Sequence, residues 1–224
     1  RWLDMATWDA CGAPVDPVAL EGKTCFGGLD LSTISDITSF ALAFPGTSGV
    51  DVLSWHWIPE EGAQKRAEKD RVPYPDWIRD GYIEATEGNR VDYDVIRKRI
   101  NQLGERYNIL EIAIDRWNST QLQTQLMGDG FTIVPFGQGY ASMTAPTKEL
   151  ERLLLGKELH HGGNPVLRWM ASNVAVETDA AGNLKPSKSK SRERIDGIVA
   201  LIMALGRTIS HGDGQSIYNT QDLR

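Results

Sequence analysis

Two aspartates of the sequence stand inside or at the end of short apolar runs. Asp30 lies between two leucines in residues 28–31, and Asp115 follows Ile-Ala-Ile at 112–114. Because side chains alternate along a β-strand, each run sends its branched residues to one face and its aspartate to the other. Two neighbouring strands of this kind would direct both carboxylates into one crevice, where open α/β sheets usually bind ligands.

A third aspartate, Asp196, lies in a segment with the periodicity of a helix. Residues 192–207 carry apolar side chains at three- and four-residue spacing, which predicts a helix with one apolar face. On such a helix Glu193 and Asp196, three residues apart, would project from the same side. Gly197 and Ala200 would let the helix approach a sheet closely.

Gathering several carboxylates requires compensation by cations. They repel one another and raise each other's pKa unless divalent ions neutralise them. Oxygen ligands suit Mg²⁺, and three or four carboxylates could hold two ions about 3.5–4 Å apart around a phosphate. One ion would activate a water and the other would stabilise the leaving 3′-oxygen. The pattern therefore predicts metal-dependent phosphodiester hydrolysis without a protein nucleophile.

The residues alone leave structural alternatives open. Asp30 could form a turn at a strand end, and Asp115 could cap a helix that follows it. Asp196 with Glu193 could be a solvated helix start.

The surrounding pattern predicts a mixed α/β fold. Three consecutive strands with short connections, at residues 25–32, 38–44 and 50–57, form an antiparallel meander. A strand at 109–114, a helix at 119–127 and a strand at 131–136 then predict parallel pairing. Further helices are predicted at residues 59–70, 92–107, 148–159 and 166–174.

The length of 224 residues suits one substantial domain, which we place at residues 23–210. Residues 1–22 lack sustained periodicity and are predicted to be a linker, and residues 211–224 a flexible tail. Apolar residues make up 41% of the chain, with no run near the roughly 20 residues that a membrane span needs. The two cysteines, Cys11 and Cys25, lack metal-ligand spacing and are predicted to be buried thiols.

The charge balance bears on nucleic-acid binding. A net charge of −6 argues against a DNA partner when taken alone, but the carboxylates of a metal site contribute to that sum. A basic run precedes the acidic helix, where it could hold a phosphate backbone without reading bases. Its members are Lys185, Lys188, Lys190, Arg192 and Arg194.

Several fragments together resemble the large terminase subunits of tailed bacteriophages. They are Gly-Leu-Asp-Leu-Ser at residues 28–32 with Asp-Ile-Thr at 36–38, Ile-Asp-Arg-Trp at 114–117, Asn-Pro-Val-Leu-Arg-Trp at 164–169 and Ile-Asp-Gly-Ile-Val-Ala-Leu at 195–201. The similarity runs from about residue 2 to residue 207.

This resemblance implies the nuclease half of such a subunit, with a ribonuclease H-like fold that cuts concatemeric viral DNA while a packaging ATPase fills a procapsid. It carries the acidic metal ligands over to Asp30, Asp115 and Asp196. Glu193 is a less certain ligand of the Mg²⁺ or Mn²⁺ ions, and Asp36 either reaches a metal through water or caps its loop.

The implied partners are double-stranded DNA and, in the full subunit, an ATPase domain, the small terminase subunit and the portal or procapsid. No membrane partner is expected, and the location is the host cytoplasm. The chain contains no G-x-x-x-x-G-K-[ST] phosphate loop, so we expect no ATPase activity from it.

The same residues are compatible with two further hypotheses. A junction resolvase or strand-transfer enzyme would use the same fold and metals. A non-catalytic module that binds DNA or the portal would use the acidic residues only structurally, and metal titration would separate it from the enzymes.

Overall fold

The computed structural model describes residues 2–32, 37–115 and 120–218, with side chains up to residue 212. A mixed sheet runs through the described part of the chain. Its strands are β1 (Thr24–Asp30), β2 (Thr38–Gly46), β3 (Gly49–Pro59), β4 (Glu84–Thr86), β5 (Asn108–Asp115), β6 (Ile133–Phe136) and β7 (Leu159–His160).

The sheet confirms the predicted meander with parallel additions. Its order is β4-β3-β2-β1-β5-β6, with β7 also paired to β3. Strands β1, β2 and β3 pair antiparallel, whereas β5 pairs parallel to β1 and β6 parallel to β5. Strand β1 therefore lies between an antiparallel and a parallel neighbour.

Helices cover both faces of the sheet. They are α1 (Met5–Ala10), α2 (Ala63–Asp70), α3 (Tyr74–Arg79), α4 (Tyr93–Arg106), α5 (Thr120–Gly128), α6 (Tyr140–Leu155), α7 (Pro165–Asn173) and α8 (Asp196–Tyr218). Apolar residues of α4 and α5 pack with one face, and those of α6, α7 and α8 pack with the other. A hairpin of β8 (Val176–Thr178) and β9 (Leu184–Pro186) precedes α8.

The alternation along β1 divides its residues between these two layers. Leu29 is fully buried in the core under α4 and α5. Gly28 and Asp30 therefore face α8 on the opposite side. This agrees with the prediction that Leu29 and Asp30 point to different faces.

Helix α8 lies so close to β1 that Gly28 has no room for a side chain. A Cβ placed on Gly28 would lie 1.9 Å from the carbonyl oxygen of Ala200 and 2.8 Å from the nitrogen of Ala204. Asp30 follows Gly28 by two strand residues, about 6.6 Å. Asp196 precedes Ala200 by four helix residues, about 6 Å. The contact of Gly28 with Ala200 thereby brings both aspartates to the same level.

The two ends of the chain differ from the sequence-based boundaries. Residues 1–22, predicted to be a linker, contain α1, and Leu3, Trp8 and Cys11 are buried in the core. The ring of Trp8 stacks on His161 with centroids 4.3 Å apart. Asp4, which interrupts the apolar residues of this segment, is the N-cap of α1, and its side chain accepts from the Thr7 N–H. At the other end, α8 continues through residues 211–218 of the predicted tail.

Cys11 and Cys25 are both buried, as predicted. No helix within the described ranges is long and apolar enough to span a bilayer.

We predict that Gly28→Ala destabilises the fold by about 1–3 kcal/mol or more, because the added methyl group meets the rigid backbone of α8. Urea unfolding would measure this. Gly128→Ala, at the end of α5 where nothing lies within 4 Å of the new Cβ, is the matched control and should be neutral or slightly stabilising. Equal stabilities of the two variants would contradict the close contact.

Candidate metal centre

Two of the predicted carboxylates meet at a single cation. The Lys188 ammonium donates to Asp30 Oδ2 and to Asp196 Oδ1, both at 2.8 Å. Asp30 is 1% exposed and Asp196 4% exposed, so both charges lie almost entirely out of solvent. Because unpaired buried charges are costly, this arrangement depends on a positive charge between them.

The Asp30 carboxylate is held at both oxygens. Gln138, in the loop after β6, donates from Nε2 to Oδ1 at 3.1 Å, while Lys188 occupies Oδ2. Burial raises the pKa of Asp30 to about 6, Lys188 opposes the rise, and the Asp196 carboxylate adds to it. Burial lowers the pKa of Lys188, but the two carboxylates outweigh it and keep that pKa above its ordinary value.

Asp115 lies beside Asp30 at the end of the parallel strand β5. The register pairs Leu29 with Ile114, so the next residues of the two strands are Asp30 and Asp115. Its own side chain is partly exposed, and its backbone carbonyl accepts from Gln123 Nε2 at 3.4 Å. The structure thus places all three predicted aspartates at one end of the sheet, and two of them, Asp30 and Asp196, share an ion pair with Lys188.

Ser39 and His56 extend this polar row across the sheet. Asp30 is opposite Ser39, and Ser39 is opposite His56. Both are buried, and Ser39 Oγ lies 2.8 Å from His56 Nδ1. Burial lowers the pKa of His56 to about 3, so its ring is neutral at physiological pH. Sequence reasoning missed this pair, because neither residue carries a motif and only the strand register aligns them with Asp30.

Glu193 does not share a helix face with Asp196. Helix α8 begins at Asp196, and the carbonyl of Ile195 accepts its first bonds, from Ile198 and Val199. The predicted start at residue 192 is therefore wrong. The segment before α8 is tied instead to α7, since Asn173 accepts from the Arg192 N–H and donates to the Arg194 carbonyl.

Half-buried Glu193 is close enough to Tyr74 for its charge to add to the raised pKa of that phenol, which burial and Asp70 mainly cause and Arg194 opposes. The geometric reason for counting Glu193 with Asp196 is thereby removed. Asp36, the other uncertain ligand, falls outside the residues that the structure describes.

The basic run is largely engaged in ion pairs within the protein. Lys185 pairs with Glu177 at 2.9 Å, and Lys190 lies 3.8 Å from the same carboxylate. Lys188 bridges Asp30 and Asp196 and was expected only as a phosphate contact. Arg192 is exposed and Arg194 partly buried.

The donors of this site fit a hard divalent cation. Asp30 and Asp196 offer carboxylate oxygens, the ligands that Mg²⁺ prefers, and their shared ammonium marks a position where positive charge is stabilised. Among the described residues, no group of three or more His, Cys, Asp or Glu side chains is arranged to hold a metal, and the space between Asp30 and Asp196 is taken by Lys188. A cation would therefore have to replace the ammonium.

Comparisons with known proteins agree with this architecture. Residues 1–212 match the family model for the terminase large subunit, endonuclease domain. The large terminase subunit of Enterobacteria phage HK97 is 36% identical over 208 residues, which are 92% of this chain and 41% of that protein. The chain thus spans less than half the length of this relative.

Solved structures show the same fold. The crystal structure of the HK97 large terminase superposes with a TM-score of 0.85 at 34% identity, over 92% of this chain and 43% of that one. The large terminase nuclease of thermophilic phage G20c with bound magnesium superposes with a TM-score of 0.60 over 91% of this chain and 96% of that one. At 13% identity this second likeness concerns the fold alone, and it confirms the predicted ribonuclease H-like class.

We predict that Asp30→Asn gains stability relative to the wild type as pH rises in the absence of metal. The folded state raises the pKa of Asp30 from 3.8 to about 6, so the wild-type chain loses stability across that interval and the neutral amide does not. Between about pH 4.5 and about pH 7 the difference in free energy of unfolding should shift by at most about 2 kcal/mol in favour of Asn. Urea unfolding in EDTA would measure it.

Asp129→Asn is the control. Hydrogen bonds from Arg97 and Asn101 lower the pKa of Asp129 from 3.8 to about 2. The ionised carboxylate therefore contributes its full stabilisation of the folded state at any pH above about 3.8. This variant should be less stable than the wild type by an amount that hardly changes over the same interval. A constant difference for Asp30→Asn as well would contradict the burial of an ionised Asp30.

Proposed function

The chain belongs to the family of terminase large subunit endonuclease domains, and we propose that it is the metal-dependent nuclease of a phage DNA-packaging machine. Its reaction would be two-metal-ion hydrolysis of phosphodiester bonds in concatemeric double-stranded DNA, in the host cytoplasm. The observation that carries the proposal is the meeting of buried Asp30 and Asp196 at one cation beside Asp115.

The cost of burying two carboxylates supports a catalytic rather than a structural role. Aspartates that only capped a turn or began a solvated helix would be exposed, yet both are almost fully buried. Taking charged groups out of water costs several kcal/mol per ion, which a purely structural site would avoid by using apolar residues. Clustered, desolvated carboxylates are typical of functional sites.

Asp30, Asp115 and Asp196 would hold the divalent ions, with Gln138 fixing the Asp30 carboxylate through Oδ1. Bound there, Mg²⁺ or Mn²⁺ would lower the pKa of a water and stabilise charge on the leaving 3′-oxygen. The protein's part is to orient these oxygens on rigid strands and a helix end. Glu193 as a less certain ligand and Asp36 as a contact to a metal through water stay predictions.

The G20c nuclease, which shares the fold, was crystallised with magnesium and also with cobalt. This supports a divalent cation as the cofactor of the present chain, and the oxygen donors of Asp30 and Asp196 suit Mg²⁺ or Mn²⁺.

The basic run is proposed to hold the DNA backbone beside the metal centre. Lys190 and Arg192 are exposed, and Lys185 lies next to them against Glu177. The run also contains Lys188, whose side chain is half exposed, and the partly buried Arg194. Positive groups placed this way attract phosphates in any sequence.

In the full-length subunit this domain would follow a packaging ATPase and act with the small subunit and the portal. The match to less than half of the HK97 large subunit supports a longer parent protein. ATP hydrolysis is not expected from this chain, since it contains no phosphate-binding loop.

We predict that Asp30→Asn, Asp115→Asn and Asp196→Asn each reduce plasmid cleavage in Mg²⁺ or Mn²⁺ by about a hundredfold or more, because each removes a ligand charge while keeping the side-chain shape. Agarose gel assays of nicked and linear product would measure the loss, and circular dichroism would confirm that each variant folds.

The matched control is Asp51→Asn on β3, whose carboxylate lies against His160 at 2.8 Å, away from the site. It should cleave at the wild-type rate, and Glu193→Gln should fall between control and ligand variants. Near-normal cleavage by any two of the three ligand variants would refute the proposed function.

A further inference from the structure

Lys188 occupies the space between Asp30 and Asp196. Its ammonium lies at 2.8 Å from one oxygen of each carboxylate. The ammonium carries one positive charge against two negative charges, whereas a divalent cation would balance both. A divalent metal ion therefore neutralises the charge of the two carboxylates more completely than the Lys188 ammonium does.

The main chain around Lys188 is fixed to the neighbouring segment. The Ser187 N–H donates to the Ala175 carbonyl at 2.9 Å, and Ser191 Oγ donates to the Ser187 carbonyl at 2.7 Å. Ser191 Oγ also accepts from the Ala175 N–H at 3.0 Å. These bonds hold the ends of the turn that carries Lys188.

The side chain of Lys188, in contrast, is 50% exposed although its ammonium is inside the site. A change of rotamer of this one side chain would move the ammonium into solvent while the turn stays in place, but the two carboxylates would then lose the positive charge between them. Such a movement breaks the two hydrogen bonds of the ammonium but needs no rearrangement of the fold, so it becomes favourable when another cation takes the place of the ammonium.

We propose that Lys188 is an internal counter-ion that keeps the metal centre closed until a divalent cation displaces it. This rests on the proposed function, since it assumes that Asp30 and Asp196 are metal ligands. Metal binding and the Lys188 ion pair are then mutually exclusive. The domain binds metal more weakly than its carboxylates alone would, which limits cleavage when the local concentration of metal is low.

The test compares Mn²⁺ binding by the wild-type domain and by Lys188→Met, which keeps the apolar stem and removes the charge. Isothermal titration calorimetry without DNA should show roughly tenfold to a hundredfold tighter binding by the variant, the usual range of coupling between two competing events. The thermal midpoint of Lys188→Met in EDTA should fall below that of the wild type, because two carboxylates then face each other without a cation.

Lys148→Met removes an equal charge from an exposed position on α6, outside the basic run. It should change Mn²⁺ affinity less than about twofold, since long-range effects are screened by salt. Both titrations are repeated at high salt. A difference in Mn²⁺ affinity that is due to displacement of Lys188 should persist there, whereas one due to long-range charge should be screened. Equal Mn²⁺ affinities of Lys188→Met and the wild type would overturn the counter-ion role while leaving the nuclease proposal intact.

Nuclear magnetic resonance of the wild-type domain with ¹⁵N-labelled lysine gives an answer that does not depend on any variant. The resonance of the hydrogen-bonded Lys188 ammonium should be observed in EDTA and should disappear as Mg²⁺ is added. The Mg²⁺ concentration at which half of this signal is lost should equal the midpoint of metal binding. Persistence of this signal at saturating Mg²⁺ would overturn the counter-ion role. Absence of any Mn²⁺ binding by wild type and Lys188→Met alike would overturn this inference and the metal-dependent function together.

Discussion

The candidate site depends on how closely helix α8 lies against strand β1. Gly28 has no side chain, and the backbone of Ala200 fills the space where one would be. Asp30 lies two strand residues from Gly28, and Asp196 lies four helix residues from Ala200. These two distances are nearly the same, because the rise per residue in a strand is about twice that in a helix. Asp30 and Asp196 meet because Gly28 and Ala200 let the backbones of β1 and α8 approach each other closely.

The same contact creates an electrostatic problem. It buries two carboxylates together, and burial raises the pKa of Asp30 to about 6. A fold selected for stability alone would place apolar residues there. Lys188, from the turn before α8, instead offsets one of the two negative charges. If Asp30 and Asp196 are metal ligands, as proposed, stability without metal and metal binding are opposed in this site, because Lys188 and the metal ion compete for the same carboxylates.

Much of the fold could be predicted from the sequence because its signals are local. The alternation around Asp30 and Asp115 predicts their faces, and the short turn at residues 45–49 predicts the antiparallel meander, which the structure confirms. Capping and tertiary contacts were harder to predict. Helix α8 begins four residues later than its apolar periodicity suggests, since Asn173 holds the preceding segment in a non-helical path.

The predicted site was incomplete for a related reason. The three aspartates stand out because each is an anomaly in apolar sequence. Gln138 lies in a glycine-flanked loop, and Ser39 and His56 lie in ordinary strands, so nothing local marks them. Lys188 was visible only as one member of a basic run. Its contact with two buried carboxylates follows from the path of the chain between β9 and α8, which no local pattern encodes.

The most direct test of this account is a crystal structure of the domain soaked in Mn²⁺, with anomalous scattering used to locate the ion. We expect a peak at ligand distance, roughly 2.0–2.6 Å, from oxygens of Asp30, Asp196 and Asp115. The Lys188 ammonium should have moved out of the position it shares with the two buried carboxylates. Absence of any peak at saturating Mn²⁺, with Lys188 still between Asp30 and Asp196, would contradict the account.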